Sequence, residues 1–171
     1  MKSFIFLFII LSSTLAHLQE SPPITGLWQG IIIKKEKSID NSKIFWIDIK
    51  EEQNSAITRV EIPNSDNFCV KNALINNVSD SSFNFSESNT EEKTELTGSW
   101  WCLMSANLIY DKKTGYLSGN YTSKNCRNGQ GRIILFKSIS EKPFSRSTTP
   151  IYQHGWFKKF IIDYKNNKNS P

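Results

Sequence analysis

The chain has 171 residues, of which 22% are charged and 12% are aromatic, and its formal net charge is +5. This length predicts one domain, and the apolar content is too high for a disordered chain. Three cysteines are too few for a disulfide-rich miniprotein, so the composition indicates a single soluble domain.

The N-terminus has the pattern of a secretory signal peptide. Lys2 supplies a positive charge, residues 4 to 11 form an unbroken apolar run, and Thr14 and Ala16 are small residues at cleavage-site positions. The run is far shorter than the roughly twenty apolar residues of a membrane anchor. We therefore predict cleavage after Ala16, a lead-in over residues 17 to 24, and a secreted or periplasmic location in which disulfides persist.

Residues 25 to 138 predict a mainly β domain. Apolar and polar side chains alternate with a period of two, as in antiparallel strands with one buried and one wet face, and clusters of Asp, Asn, Ser and Gly supply turns. Eight such strands can close into a barrel or form a sandwich, and we favour an antiparallel meander barrel because closure removes both exposed edges. The predicted strands are Thr25–Lys35, Lys43–Lys50, Ser55–Ile62, Asn67–Ile75, Ser81–Glu87, Gly98–Tyr110, Gly115–Ser123 and Gly131–Ser138.

The turn Asp111–Gly115 sets the register of a predicted hairpin. If Tyr110 faces Tyr116, Cys102 lies one same-face step from Cys126, close enough for the two sulfur atoms to meet after a small adjustment. We therefore predict a Cys102–Cys126 disulfide, which would act as a structural staple.

Few residues of the chain could support catalysis. The histidines are His17 and His154, both outside the strand region, and the cysteine spacing matches no zinc pattern. Cys69 is interpreted as a buried small hydrophobe, because Lys71 is the one basic neighbour that could lower its pKa. Paired acids in turn-like segments are interpreted as solvated surface. We therefore predict a non-enzymatic protein with no catalytic residues, no metal and no cofactor.

Tryptophans are the better candidates for a binding role. Trp100 and Trp101 are neighbours on a predicted strand, so they point to opposite faces, and one meets solvent unless both faces are covered. Trp46 shares a face with Asp48 and Lys50. An exposed indole can stack on a sugar ring or anchor a protein interface. The alternative is that these side chains lie beneath the C-terminal segment.

The positive charge is concentrated after the last strand. Residues 17 to 136 carry thirteen Lys or Arg against fourteen Asp or Glu, whereas residues 137 to 171 carry seven against two. A near-neutral body does not suggest a nucleic-acid-binding groove, and we predict no nucleic-acid partner. Within that body, the segment Glu91–Glu95 is predicted to be a charged loop.

A linker over residues 139 to 153 is predicted to lead into a C-terminal amphipathic helix with a frayed end, residues 154 to 171. Two alternatives are open for this helix. It docks its apolar face on the barrel, or it forms a basic segment that contacts an anionic membrane or a partner. The apolar face consists of Trp156, Phe157, Phe160, Ile161 and Tyr164.

The segment Thr25-Gly26-Leu27-Trp28-Gln29-Gly30 resembles the Gly-x-Trp opening of lipocalin-like (calycin) barrels. In that superfamily the tryptophan closes one end of the barrel and an arginine from a late strand packs across it, and the resemblance places Arg132 in that role. Residues 117 to 133 also resemble small secreted barrel domains of uncharacterised function in Bacteroidota-type bacteria. Under that bacterial resemblance, three Asn-x-Ser/Thr acceptor sequons are chance occurrences: Asn77, Asn84 and Asn120.

These patterns together predict a secreted or periplasmic, non-enzymatic barrel that binds a small hydrophobic ligand or serves as an interaction module of the cell envelope. A carrier needs an open interior, whereas an interaction module has a filled interior and an exposed aromatic patch. The alternative is a carbohydrate-active or carbohydrate-binding protein that uses exposed tryptophans. Expected partners are the ligand or an envelope protein, with peripheral membrane contact through the basic tail. The candidate ligand-binding residues are Trp28, Trp46, Trp100, Trp101 and Arg132.

Overall fold

The computed structural model describes residues 24–50, 54–96, 101–138 and 156–168. Eight antiparallel strands follow one another in chain order, and the last pairs with the first, so the sheet closes into a barrel. The predicted mainly β, eight-stranded barrel is therefore confirmed. Its strands are β1 (Gly26–Lys34), β2 (Lys43–Lys50), β3 (Ser55–Glu61), β4 (Phe68–Asn76), β5 (Ser82–Lys93), β6 (Met104–Asp111), β7 (Tyr116–Ser123) and β8 (Gln130–Lys137).

Two strand boundaries differ from the prediction by more than one residue. β5 continues to Lys93, so Glu91, Glu92 and Lys93 of the expected charged loop extend the strand. Register shifts against β4 accommodate this extension, and its charged side chains reach solvent from the end of the sheet. β6 begins at Met104 and not at Gly98, so Trp101 precedes the strand.

The register of the β6–β7 hairpin is shifted by one residue from the prediction. Asp111 pairs with Tyr116, so the expected pairing of Tyr110 with Tyr116 is wrong. The Asp111 carboxylate accepts a hydrogen bond from the Thr114 hydroxyl at 2.9 Å, and Gly115 adopts a φ of +71°. The aspartate thus stays in the ladder while its side chain stabilises the turn.

Large side chains fill the barrel from its middle to the end where β1 begins and β2 ends, which we name the closed end. The Phe45 and Phe85 rings stack with their centroids 6.0 Å apart, and a T-shaped contact of 5.9 Å joins Trp28 to Tyr110. No large ligand could enter this part without displacing close-packed side chains. The core residues here include Trp28, Phe45, Ile47, Phe83, Phe85, Leu108, Leu117, Ile133 and Leu135.

The C-terminal helix α1 (Trp156–Lys168) docks on the outside of the barrel. Phe160 is buried there against Ile31 and Ile134, and its ring stacks on Phe136 at 5.2 Å. Lys165 forms an ion pair of 2.6 Å with Asp40, which lies between β1 and β2. The docking alternative therefore describes this helix. The predicted signal peptide and linker, and the side chains of the first two helical residues, lie outside the described residues.

Burial extends over both faces of several strands, in contrast to the predicted alternation of one buried and one wet face. Ile44 and Phe45 are successive residues of β2 and both are fully buried, as are Cys69 and Val70 of β4. Successive residues of a strand point to opposite faces, so both sides of the sheet are covered at these positions. Within the described residues, no helix is long and apolar enough to cross a membrane.

Candidate functional site

A cavity of about 350 Å³ opens at the end of the barrel where β1 ends and β2 begins, which we name the mouth. Its volume lies near the lower limit of small-molecule sites, which span roughly 300–1,000 Å³. Apolar side chains form the inner wall, whereas three cations stand at the rim: Lys34, Lys43 and Arg127. The inner wall consists of Ile32, Val60, Trp101, Met104 and Tyr121.

Strand alternation explains this division between wall and rim. Ile32 and Lys34 are two residues apart on β1 and therefore share its inward face, with the lysine nearer the end of the strand. Lys43 is the first residue of β2 and pairs directly with Ile32. Arg127 belongs to the turn between β7 and β8. The inward positions thus change from apolar to cationic as the strands reach solvent.

A buried ion pair lies below the rim, with Lys71 Nζ at 2.7 Å from Glu87 Oε2 and side-chain exposures of 1% and 0%. Glu87 also accepts hydrogen bonds from the Thr58 hydroxyl at 2.6 Å and from the Met104 backbone N–H at 2.8 Å. Lys71 donates a second hydrogen bond to the Cys102 carbonyl at 2.6 Å. These partners compensate the desolvation of both charges, so the pair forms a rigid polar floor.

The rim cations lack such compensation. Among the described residues, no carboxylate forms an ion pair with Lys34, Lys43 or Arg127. The Lys43 ammonium lies 5.5 Å from the centroid of the Trp101 ring. Although part of its side chain is exposed, burial lowers the pKa of Lys43, and the charges of Lys71 and Lys34 lower it further. An anion bound at the rim would relieve this repulsion.

The predicted Cys102–Cys126 disulfide is confirmed, with a Cα–Cα distance of 5.7 Å. It ties the segment before β6 to the turn after β7, and both of these segments line the cavity. The Leu103 backbone N–H donates to Asn125 Oδ1 at 2.7 Å, and Trp101 Nε1 donates to the Thr94 carbonyl at 2.8 Å. The disulfide and these two hydrogen bonds hold the Trp101 indole in the wall of the mouth.

The closed end contains a second pairing of a lysine with a tryptophan. Lys137 Nζ lies 5.1 Å from the centroid of the fully buried Trp28 ring, and the two residues pair directly across β1 and β8. The cation over Trp28 is therefore Lys137. The family resemblance implied Arg132 in this position. Arg132 pairs with Ile33 and, like Ile33, points outward. It stands at an odd spacing along β8 from the residues of that strand that point into the barrel.

The remaining candidate residues lie in different parts of the structure. Trp101 lines the mouth, Trp46 is half-buried on the outward face of β2, and Trp100 lies outside the described residues. Cys69 is a buried free thiol whose pKa is raised by burial, as expected of a structural cysteine. Sequence reasoning missed the charged residues of the mouth. The available signal was Lys71, which shares a strand face with Cys69 and Ala73.

The near-neutral charge of the body conceals an uneven distribution. A groove of about 780 Å³ lies beside the mouth on the outside of the barrel, between the β1–β2 connection and helix α1. Its lining contains one acidic residue, Glu36, against five basic ones, which belong to the body as well as to the tail. These basic residues are Lys34, Lys35, Lys37, Arg132 and Lys165.

The fold and the mouth define a class of protein: a closed, eight-stranded antiparallel barrel, consistent with a lipocalin-like barrel, filled at one end and open at the other in a small cationic cavity. No family model, curated protein or solved structure matches the chain.

Proposed function

We propose that this chain is a secreted, non-enzymatic binding protein that holds one small amphipathic anion in the mouth of the barrel. The anionic group, a carboxylate in the simplest case, contacts the Lys43 ammonium and its neighbours at the rim. The short apolar part lies against the inner wall. The observation that carries this proposal is the set of uncompensated cations above an apolar cavity of about 350 Å³.

The cavity narrows the size and the charge of the expected hydrophobic ligand. The filled closed end restricts the apolar part of the ligand to a short alkyl chain, of which each methylene group contributes about 0.8 kcal/mol when buried. The rim adds a charge-assisted hydrogen bond of about 1.5–3 kcal/mol. The basic groove beside the mouth supports the same ligand charge, because a local excess of cations attracts anions before contact.

The side chains near the mouth favour binding over catalysis. Glu87 is the carboxylate of the polar floor, and its two oxygens already accept hydrogen bonds from Lys71, Thr58 and the backbone. These hydrogen bonds give the Glu87 carboxylate a structural role in the floor. The raised pKa of Cys69 keeps that thiol protonated and unreactive. The carbohydrate-binding alternative receives less support, because Trp28 and Trp101 are buried.

Two further observations support a secreted, lipocalin-like protein. A disulfide persists in oxidising compartments, which agrees with the predicted signal peptide. The Gly26-x-Trp28 segment opens the first strand, and the fully buried Trp28 lies beneath a cation at the closed end. That arrangement matches the role expected from the resemblance, with Lys137 in place of the arginine.

Isothermal titration calorimetry with three probes of equal chain length tests the proposal. Octanoate carries the expected anionic group, octan-1-ol is its neutral counterpart, and octylammonium is its cationic counterpart. We expect octanoate to bind at one site and at least 10-fold more tightly than octan-1-ol, since one charge-assisted hydrogen bond separates them. Octylammonium should not bind measurably. Equal affinities for the three probes, or no binding of octanoate, would overturn the proposal.

A further inference from the structure

The three Asn-x-Ser/Thr sequons of the chain converge on one outer face of the barrel. Asn77 lies in the turn between β4 and β5, with a φ of +51°, Asn84 lies in β5, and Asn120 lies in β7. β4 to β7 are consecutive neighbours in the sheet. Helix α1 packs on the outer side of β1 and β8 and on Tyr116 at the start of β7. Asn120 borders the groove beside the helix and is itself exposed, whereas Asn77 and Asn84 lie further around the barrel from the helix.

Strand geometry orients the two sequons that lie within strands. Their middle residues, Phe85 and Tyr121, are buried in the core. In a strand, the residues on either side of an inward one both point outward, so each asparagine and its hydroxyl partner face solvent together. Asn84 pairs with Asn107 across β5 and β6, and Tyr121 pairs with Ala106 across β6 and β7. Asn84 and Asn120 are thus separated by one strand, or about 10 Å.

This face also differs from the rest of the surface in its chemistry. It carries exposed apolar side chains, with Leu74, Val78 and Ile109 exposed by 60%, 55% and 56%. The central outward positions of β5, β6 and β7 carry no charged residue, although Asp111 at the end of β6 and Lys124 after β7 border this face. A hydrated glycan supplies the solubility that charges supply elsewhere. These central outward positions are Ser82, Asn84, Ser86, Ser105, Asn107, Ile109, Ser118, Asn120 and Thr122.

We infer that Asn77 and Asn120 are acceptors of N-linked glycans. Both side chains belong to exposed residues, as modification requires. The donor is an oligosaccharide linked to a lipid through pyrophosphate. The asparagine amide nitrogen forms a bond to the anomeric carbon, the bond from that carbon to the pyrophosphate oxygen breaks, and the lipid pyrophosphate leaves as the amide loses one proton.

Asn84 is the poorest of the three acceptors. It is half-buried, and its Oδ1 accepts a hydrogen bond from Asn107 Nδ2 at 2.5 Å. A glycan at Asn84 would also crowd one at Asn120 on the same face. We therefore expect the lowest occupancy at this position. This inference is an alternative to the interpretation of these sequons as chance occurrences.

The experiment expresses the full chain, with its own N-terminus, in a eukaryotic host with a secretory pathway. Intact mass is measured before and after treatment with peptide N-glycosidase F, on both secreted and retained protein. We expect a stepwise loss of mass, with conversion of Asn77 and Asn120 to aspartate. Each single variant, Asn77→Gln or Asn120→Gln, should remove one step. Protein with the mass of the bare polypeptide in every fraction would overturn the inference.

Matched variants separate modification from folding. Thr122→Ser preserves the sequon and Asn76→Gln alters a neighbouring asparagine outside any sequon, so both should retain the full mass. Ser79→Ala and Thr122→Ala remove the sequons and leave the acceptor asparagines in place, so each should lose one step even where an Asn→Gln variant fails to fold. Full glycan mass in the Ser79→Ala/Thr122→Ala double variant would also overturn the inference.

Discussion

The two ends of the barrel place a lysine beside a tryptophan in different electrostatic surroundings. At the closed end, Lys137 lies over Trp28 and donates a hydrogen bond to the Thr25 carbonyl, while Asp48 raises the pKa of Lys137 against the larger lowering effect of burial. At the mouth, Lys43 lies over Trp101, and its charged neighbours lower its pKa further. The two lysine–tryptophan distances, 5.1 and 5.5 Å, are therefore similar, although the two ammonium groups have different electrostatic surroundings.

This electrostatic difference separates a lysine with a structural role, Lys137, from a lysine proposed to bind a ligand, Lys43. The ammonium group of Lys137 has an oxygen partner and a nearby carboxylate, in a part of the barrel filled by core side chains. Lys43 borders a cavity, and its electrostatic neighbours are further cations. A geometric motif alone does not identify a ligand site. The charges that surround it decide whether a further anion would be stabilised.

The largest effect is expected from the polar floor, which gives the mouth a rigid base. Glu87→Gln leaves the Lys71 ammonium as an unpaired buried charge, so the free energy of unfolding should fall by about 3–5 kcal/mol. Equilibrium unfolding in urea measures this change. Glu95→Gln is the control, because Glu95 pairs with Lys93 on the surface and such pairs contribute about 0–1 kcal/mol. Equal losses in the two variants would contradict the prediction.

An intermediate effect is expected at the rim. Lys43→Gln should weaken octanoate binding by about 10- to 100-fold, since it removes a charge-assisted hydrogen bond. Lys112→Gln is the matched control, because Lys112 lies in the β6–β7 turn at the closed end, and it should leave the affinity unchanged. Calorimetric titration of both variants measures the difference. Equal affinities would place the ligand away from Lys43.

The lowered pKa of Lys43 gives this effect a pH dependence. Octanoate binds the protonated lysine, so its affinity should fall as the pH rises through that lowered pKa. The unliganded protein should respond in the opposite sense. Its unfolded state binds more protons at Lys43 between the lowered pKa and the ordinary value of 10.5, so this residue favours folding increasingly as the pH rises. The Lys43→Gln variant should lose both dependences.

The smallest effect is expected at the closed end. Lys137→Met keeps an unbranched side chain over Trp28 and removes the charge, so the free energy of unfolding should fall by about 1–2 kcal/mol from the lost cation–π contact and the lost hydrogen bond to the Thr25 carbonyl. Octanoate affinity should remain that of the unaltered protein. A fall in affinity as large as that of Lys43→Gln would show that the two ends are not distinct in function.

Local sequence patterns predicted most of the fold because the barrel depends on local features. Period-two runs and turn residues located all eight strands, and the hairpin brought Cys102 near Cys126 even with its register one residue in error. That error arose because Asp111 was assigned to the turn, whereas it remains paired in the ladder. The family resemblance correctly placed Trp28 in the interior but selected the wrong cation, since Arg132 points outward.

The candidate site depends on contacts that no local pattern contains. Lys71 and Glu87 belong to neighbouring strands, and their contact follows from a register that includes two shifts. The alternation of apolar and polar residues also does not distinguish an inward lysine from an outward one. This holds particularly in β4, where Cys69 and Val70 are buried on opposite faces. The cations of the rim come from β1, β2 and the β7–β8 turn, so only closure of the barrel brings them together.

The inward position of Cys69 has a consequence for oxidative folding. Three thiols permit three pairings, and only one of them joins the two segments beside the mouth. Disulfides form through the thiolate, and burial in the completed barrel raises the pKa of Cys69 and removes its sulfur from reach of oxidants. Once β4 pairs with its neighbours, the sheet buries the Cys69 thiol, which could otherwise compete for a disulfide partner. We therefore expect completed strand pairing to disfavour disulfides that contain Cys69.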